Sequence, residues 1–427
     1  MTEEPLVLVI NCGSSSLKFA VHALDRRRPL LSGLGDRLGL EGATISFKDD
    51  SSKIVRDLKE PTHAAALDAV LEEFAARGWL NVLAAVGHRV VHGGERFPSS
   101  VLITPEILVE IETISPLAPL HNPPAVLGMR VALSRLAVPH VAVMDTAFHQ
   151  TMSPSAYLYA VPMSLYRDER VRRYGFHGTS HRFVAGEAVK MLGLDPTDHG
   201  LVTAHLGNGA SATAVLNGRS VDTTMGMTPL EGLVMGTRSG DIDPGALAYI
   251  ARRTGWNWDE IDELLNKRSG LLGLSELSND CRELEAAAID GHAGAQVALE
   301  VFAHRLARHI GGLTMSLPRL DAVVFTGGIG ENSARIRAMT LRRLGPLGLA
   351  LDDDANLRMI GGAGGLISKG ERPAAVVVNT NEEWMIACDT AELAGLTRSP
   401  APLPRGATGE DSGRLDSMPT DPPVSTH

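Results

Sequence analysis

The sequence predicts an α/β protein of two related halves, each built on a mixed sheet, with a central cleft between them. Three observations carry that expectation. Short β-favouring runs alternate with helical patterns along most of the 427 residues. Two of those runs double back through loops of glycine and small hydroxyl residues, in Val7 to Val21 and in Gly200 to Val215, about half a chain apart. The length is too great for a single core and suits two domains.

The first loop, Asn11-Cys-Gly-Ser-Ser-Ser-Leu-Lys18, can hold a phosphate: Gly13 admits close backbone approach, Ser14 to Ser16 offer donors, and Lys18 adds a point charge. The second, His205-Leu-Gly-Asn-Gly-Ala-Ser211, has the same build. One glycine hairpin is weak evidence, whereas a pair suggests a duplicated nucleotide clamp. Buried strands are expected at Leu6 to Ile10, Ala84 to Val91, Val138 to Met144, Leu201 to Leu206, Ala322 to Thr326 and Ala374 to Val378. Helices are expected over His63 to Arg77, Glu283 to Ile310 (stopping at Gly311-Gly312) and Ala334 to Leu344. Because each half opens on an antiparallel hairpin, each sheet should be mixed. Residues 397–427 hold six prolines and three glycines with no aromatic residue, and are expected to be a disordered tail.

A net charge of −10 argues against a nucleic-acid partner, so an anionic ligand must be held by locally placed Arg, Lys, His and backbone N–H groups. Three cysteines, at 12, 281 and 388, suit reduced thiols rather than a disulfide framework. The acidic start lacks a basic leader and no apolar run reaches bilayer length, so a cytoplasmic protein with no membrane partner is expected.

The chemistry-bearing residues stand at strand ends. Asp145 follows Val138 to Met144 and reads equally as a turn residue or as a metal or ligand contact. Asp280 and Arg282 read as a helix cap or as part of a nucleotide pocket. Thr326-Gly-Gly-Ile-Gly-Glu-Asn-Ser333 joins a strand to a helix, an arrangement that receives nucleotide groups on backbone donors. Asn379-Thr-Asn-Glu-Glu383 carries carboxylates that cap the last helix or hold Mg2+ through water. His177 and His181 have the i, i+4 spacing of a metal pair, but the intervening Gly178 favours a hydrogen-bonding role. Arg89 and Arg238 sit in apolar and glycine-rich segments, where a guanidinium needs an anionic partner. The P-loop, the nucleophile elbow and the His-Glu-x-x-His zinc motif are all absent.

In this order the motifs resemble the acetate kinase family over nearly all of residues 5 to 396. Those that carry the likeness are Asn11 to Lys18, Arg173-Tyr-Gly-Phe-His-Gly-Thr-Ser-His181, His205 to Ser211 with Met225 to Asp243, Phe325 to Asn332, and Thr380 to Glu383. The resemblance implies two duplicated actin-like (ribonuclease H-like) ATPase domains. Residues 1–150 with 384–396 would form one, and 151–383 the nucleotide-binding other.

The family's roles then fall on matching positions. Asp145, His177 and Arg238 would be catalytic. Arg89, Val91, Leu120, Phe176 and Pro229 would hold the carboxylate substrate and its methyl group. Lys18, His205, Leu206, Gly207, Asn208, Gly209, Asp280, Cys281, Arg282, Gly328, Ile329, Gly330, Glu331 and Asn332 would hold ATP. Asn11 and Glu382, in preference to Glu383, would support Mg2+, with Mn2+ as a substitute. The implied partners are acetate or acetyl phosphate, ATP or ADP, and a second copy in a homodimer. A short-chain carboxylate kinase of other preference and an ATP-driven binding protein are the alternatives.

Overall fold

In the computed structural model, residues 4–370 and 372–396 are described; the expected tail 397–427 lies outside them. β1 (Leu6–Cys12) and β2 (Leu17–Ala23) form an antiparallel hairpin, which β3 (Leu31–Asp36), β4 (Thr44–Lys48) and β5 (Lys53–Asp57) extend antiparallel. On its other side β1 pairs in parallel with β6 (Leu83–Val90). β7 (Val101–Leu102) forms the edge beyond β8 (His140–Met144), which pairs in parallel with β6. The order is β5-β4-β3-β2-β1-β6-β8-β7.

The second sheet repeats the plan. β9 (Gly200–Leu206), β10 (Ala210–Leu216) and β11 (Arg219–Thr223) are antiparallel, and β12 (Ala322–Thr326) lies parallel to β9. Then come β13 (Ala350–Leu351), β14 (Gly365–Leu366), β15 (Ser368–Lys369) and β16 (Ala374–Val377), of which β13 and β15 form a separate ribbon. The order β11-β10-β9-β12-β16 matches β3-β2-β1-β6-β8 strand for strand, with two antiparallel and two parallel pairings in each. Duplication is therefore visible in topology as well as in the two loops.

Alternation along β1 explains its unbroken apolar run. Leu6, Leu8 and Ile10 pack with Leu67, Val70 and Phe74 of the helix His63–Arg77, while Val7 and Val9 pack with Ile386, Ala387 and Ala391 of the helix Glu382–Leu393. In the second sheet Val323 and Phe325 face the helix Ala293–Thr314, and Ala322 and Val324 face the helix Gly178–Leu192. Trp384 and Met385 of the last helix reach that second cluster too, so the helices Gly178–Leu192 and Glu382–Leu393 lie between the sheets. Gly87 permits this. A Cβ there would stand 2.3 Å from Thr390 Oγ1 and 2.8 Å from Ile386 Cγ2.

Two sequence expectations need correction. The helix read over Glu283 to Ile310 is two helices, Cys281–Ile289 and Ala293–Thr314, because His292 caps the second by accepting from the Ala295 N–H. That second helix also runs through Gly311 and Gly312, since burial of Ile310, Leu313 and Thr314 outweighs the low helix propensity of two glycines. The helix begun at Ala334 ends at Leu341. Among the described residues no helix is long and apolar enough to cross a membrane.

Buried histidines set the acid sensitivity of the fold. Burial lowers His22, His92 and His149 from 6.5 to about 4 each. Between those values the unfolded chain binds protons that the folded chain does not, so stability rises with pH there. Urea midpoints should fall progressively from pH 6.5 to pH 4, by up to about 1.4 kcal/mol per pH unit per histidine. A flat profile across that window would contradict the burial of neutral rings. Gly87→Val should cost about 1–3 kcal/mol in the same assay by pushing the last helix off β6.

Candidate active site

Two adjacent parallel strands deliver the central ion pair. Arg89 is opposite Val143 in register, and Asp145 follows β8 with its N–H bonded to the Val90 carbonyl at 2.9 Å. The guanidinium then meets the carboxylate edge-on, Nε to Oδ1 at 3.0 Å and Nη2 to Oδ2 at 2.6 Å. Asp145 is buried, which raises its pKa, and Arg89 opposes that rise. Asp145 in turn is the main cause holding Arg89 above its usual range, with Glu382 and Glu383 adding to it. Asp145 thus orients an arginine, Arg89, through both of its carboxylate oxygens.

Beside this pair is a cavity of about 150 Å³ lined by Asn11, Lys18, Arg89, Glu382 and Glu383. Asn11 and Lys18 face each other across the first hairpin. Glu382 and Glu383 open the last helix, whose N-cap Asn381 accepts from the Trp384 N–H. Burial, then Glu382, raises the pKa of Glu383.

Across from it, the second hairpin gathers the imidazoles. His177 stands at the start of the helix Gly178–Leu192 in a left-handed conformation, φ 55°, and hydrogen-bonds Ser211 Oγ through Nδ1 at 2.9 Å. Its ring stacks on His205 with centroids 4.4 Å apart. A Cβ on Gly209 would lie 3.3 Å from Arg238 Nη2 and 3.6 Å from His177 Nε2, so loop, arginine and histidine converge. Arg238 donates to the Pro229 carbonyl at 2.6 Å; among the described residues no carboxylate pairs with it, and burial lowers its pKa. Burial lowers the His177 pKa well below its ordinary value, with His205, His181, Arg89 and Arg238 adding to the drop.

The nucleotide-loop residues follow. Gly327–Asn332 is itself a short helix after β12. Gly327 has φ 75° and a Cβ there would stand 2.8 Å from the Leu206 carbonyl oxygen, so this position requires glycine. A Cβ on Gly328 meets nothing within 4 Å, leaving that backbone open, whereas Ile329 packs against the core and the Gly330 carbonyl accepts from Arg337. Glu331 Oε1 accepts from the Gly327 N–H at 3.0 Å and the Thr380 N–H at 2.9 Å, tying this loop to the segment that carries Glu382. Asn332 donates to the Gly328 carbonyl. Asp280 caps the helix Cys281–Ile289 and pairs with Arg282, whose side chain is 88% exposed; burial pushes the Cys281 thiol up to about 12. Leu206 and Gly207 continue the second hairpin, where Gly207 donates to the Gly209 carbonyl and Asn208 Oδ1 accepts from Asn279.

Val91 and Phe176 share one apolar cluster, Pro229 is half-buried, and Leu120 is 72% exposed. Sequence reasoning missed His121, whose pKa partial burial, Arg89 and Arg238 all lower. A lone histidine before Asn122-Pro-Pro carries no signal of its own. His177 and His181 share Ser211 as a hydrogen-bond partner, in keeping with the hydrogen-bonding role.

The Acetokinase family profile matches residues 6–388. The chain belongs to the Acetokinase family. It is 56% identical over 391 residues to an acetate kinase of Chromobacterium violaceum, covering 91% of this chain and 98% of that one. A crystal structure of an acetate kinase from Porphyromonas gingivalis superposes with a TM-score of 0.87 at 41% identity, covering 91% and 99% of the two chains. A propionate kinase structure from Francisella tularensis subsp. tularensis SCHU S4 gives 0.86 at 42%, covering 91% and 100%. Acetokinase family members are phosphotransferases that use ATP and a carboxyl acceptor, and the acetate kinases this chain superposes on have the actin-like ATPase fold.

Arg238 offers a direct test of ligand-directed design. A desolvated guanidinium with one carbonyl partner costs stability, so Arg238→Met should unfold at an equal or higher temperature than the parent. Its kcat should fall by at least roughly 10³-fold, the scale of a phosphoryl-neutralising arginine. A large loss of thermal stability would mark Arg238 as structural.

Proposed function

We infer that the protein catalyses the reversible, Mg2+-dependent transfer of the ATP γ-phosphoryl group to acetate, giving acetyl phosphate and ADP. The observation that carries this reading is Arg238, a half-buried cation with no anionic partner among the described residues, converging with His177 and the Gly207-Asn-Gly209 loop. An acetate oxygen attacks the γ-phosphorus in line, the new P–O bond forming as the bond to the ADP oxygen breaks. Acetate is ionised at neutral pH, well above a carboxylate pKa of about 4, so no general base is required. The protein's task is to crowd anions together and hold them in line. Arg89, oriented by Asp145, and Arg238 bracket the acetate carboxylate and the moving phosphoryl group. His177 donates to that group as charge develops on it. The second hairpin and the open backbone at Gly328 receive the nucleotide. Val91 and Phe176 pack around the methyl group, with Pro229 and Leu120 at the mouth.

Asn11, Glu382 and Glu383 supply oxygen donors beside Lys18 and Arg89. Among the described residues no cluster of three or more His, Cys, Asp or Glu is arranged to hold a metal. A sparse oxygen set of this kind suits Mg2+, which keeps waters and takes its remaining ligands from phosphates. Asn11 and Glu382 would hold it, and when bound it neutralises phosphate charge. The same reading carries Mn2+ as a substitute, a two-lobed division with the last helix belonging to the first lobe, a homodimer and a cytoplasmic location.

Steady-state hydroxamate assays with acetate, propionate and butyrate test the substrate. Each added methylene in so small a pocket is worth about 1–3 kcal/mol, so propionate should show roughly ten-fold or more lower kcat/KM. An equal or higher value for propionate would reverse the assignment, in line with the propionate kinase resemblance. Asp145→Asn should cripple turnover while ATP binding by calorimetry persists, because it loosens Arg89 rather than the nucleotide loop. Chelating Mg2+ should abolish acyl phosphate formation, and Glu382→Gln should raise the Mg2+ concentration needed for half-maximal rate.

A further inference from the structure

The role given to His177 needs a proton on Nε2, the ring nitrogen near Gly209 and Arg238, and a neutral imidazole carries only one. Behind the ring runs a single file of hydrogen bonds. His177 Nδ1 meets Ser211 Oγ at 2.9 Å, Ser211 Oγ meets His181 Nε2 at 2.7 Å, and His181 Nδ1 meets Thr203 Oγ1 at 2.8 Å. Ser211, His181 and Thr203 are all fully buried, so water cannot supply missing partners.

The direction of the file follows from its far end. The Thr203 hydroxyl has two acceptors within reach, His181 Nδ1 at 2.8 Å and the Thr213 carbonyl at 3.4 Å. The second distance is outside the ordinary O–H···O range of 2.5–3.0 Å. Leaving a buried donor unmade costs more than leaving a hydroxyl lone pair unused, so Thr203 donates to His181 Nδ1. His181 must then carry its proton on Nε2 and donate to Ser211. Ser211 must donate to His177 Nδ1. The one ring proton of His177 is thereby left on Nε2.

Resting on the phosphotransfer reading above, we propose that Thr203, His181 and Ser211 are positioning residues that fix the tautomer of His177, aiming an Nε2–H donor at the transferring phosphoryl group. Each ring must be neutral for the file to have a direction. The charged and titratable groups acting on the two rings are His149, His205, Arg89 and Arg238, besides one another, and each favours the neutral form, as does burial. Thr203 lies on β9 and Ser211 on β10, paired antiparallel, so the second hairpin both places the phosphate loop and wires the histidine beside it.

Nitrogen-15 NMR of histidine-labelled full-length protein reads the tautomer without turnover, with the His177 signals assigned by their loss in His177→Gln. The wild type should carry the His177 proton on Nε2. Thr203→Asp replaces the donor that starts the file with an acceptor of similar volume, so at pH 8 His181 should donate to it from Nδ1 and the file should reverse; Nδ1–H should then appear on His177, and kcat should fall about ten-fold with KM values within about two-fold, a fraction of the 10²–10³ given by a lost transition-state donor. Thr203→Ser should restore both readings. If Thr203→Asp fails to fold, the tautomer of the wild-type His177 decides the proposal by itself. A wild-type His177 protonated on Nδ1, or an unchanged tautomer in the variant that folds, overturns the proposal. An Nε2–H wild type that makes no acyl phosphate would sink the phosphotransfer reading and leave the relay standing.

Discussion

The bidentate contact between Arg89 and Asp145 is the interaction on which the site depends. It lies at the ends of β6 and β8, and parallel pairing fixes its register: Val90 opposite Met144 puts Asp145 within reach of Arg89. A buried pair of this kind gains little net stability, because desolvation of both ions offsets their attraction. Its value is directional. Locked edge-on by Asp145, the guanidinium leaves its remaining N–H groups free of that contact, and on the phosphotransfer reading these meet the incoming carboxylate. The Glu382 and Glu383 carboxylates add negative charge close by, which makes an added cation favourable at the same place.

The two halves share a topology but have diverged in chemistry. In the first hairpin the positions facing each other near the turn are Asn11 and Lys18, and in the second His205 and Ser211. One presents amide oxygen and ammonium beside carboxylates, and the other presents imidazoles beside backbone N–H groups. Between them run the helices Gly178–Leu192 and Glu382–Leu393, which start at His177 and Asn381 and so carry site residues at their N-termini. Arg182 of the first pairs with Asp389 of the second at 2.7 Å. Any movement of one half against the other must slide or break that contact.

Much of this was legible in the sequence, because period-two and period-3.6 patterning are local properties. The helix His63–Arg77 and the strand Ala322–Thr326 have the bounds the pattern implied. What failed was local pattern overridden by tertiary context: Gly311 and Gly312 read as a stop, yet buried Ile310 and Leu313 carry the helix past them. Long-range partners were out of reach for a different reason. Glu331 read as a nucleotide contact from its motif, but nothing local reveals that its carboxylate ties the Gly327 N–H to the Thr380 N–H, 49 residues further on. His121 was invisible likewise, since only folding brings it into the field of Arg89 and Arg238.

Arg337, buried, and Arg238, half-buried, show how fully and how sparsely the protein can engage a guanidinium. Arg337 is fully buried and has no carboxylate, yet Asn356 Oδ1 and the carbonyls of Gly330, Asn356 and Met359 all accept from it, at 2.7–2.9 Å. Four dipoles replace its hydration shell, and it staples the nucleotide loop to the segment Asn356–Met359. Arg238 receives one such oxygen, from Pro229. Its Nη2 lies beside Gly209, close to His177, and among the described residues no carboxylate pairs with it. A cation left under-solvated is a cost in the folded chain, and selection keeps such a cost where an anion repays it. On the phosphotransfer reading proposed above, the negative charge that completes Arg238 arrives with the substrate, and the transferring phosphoryl group is the one whose charge needs balancing at that point.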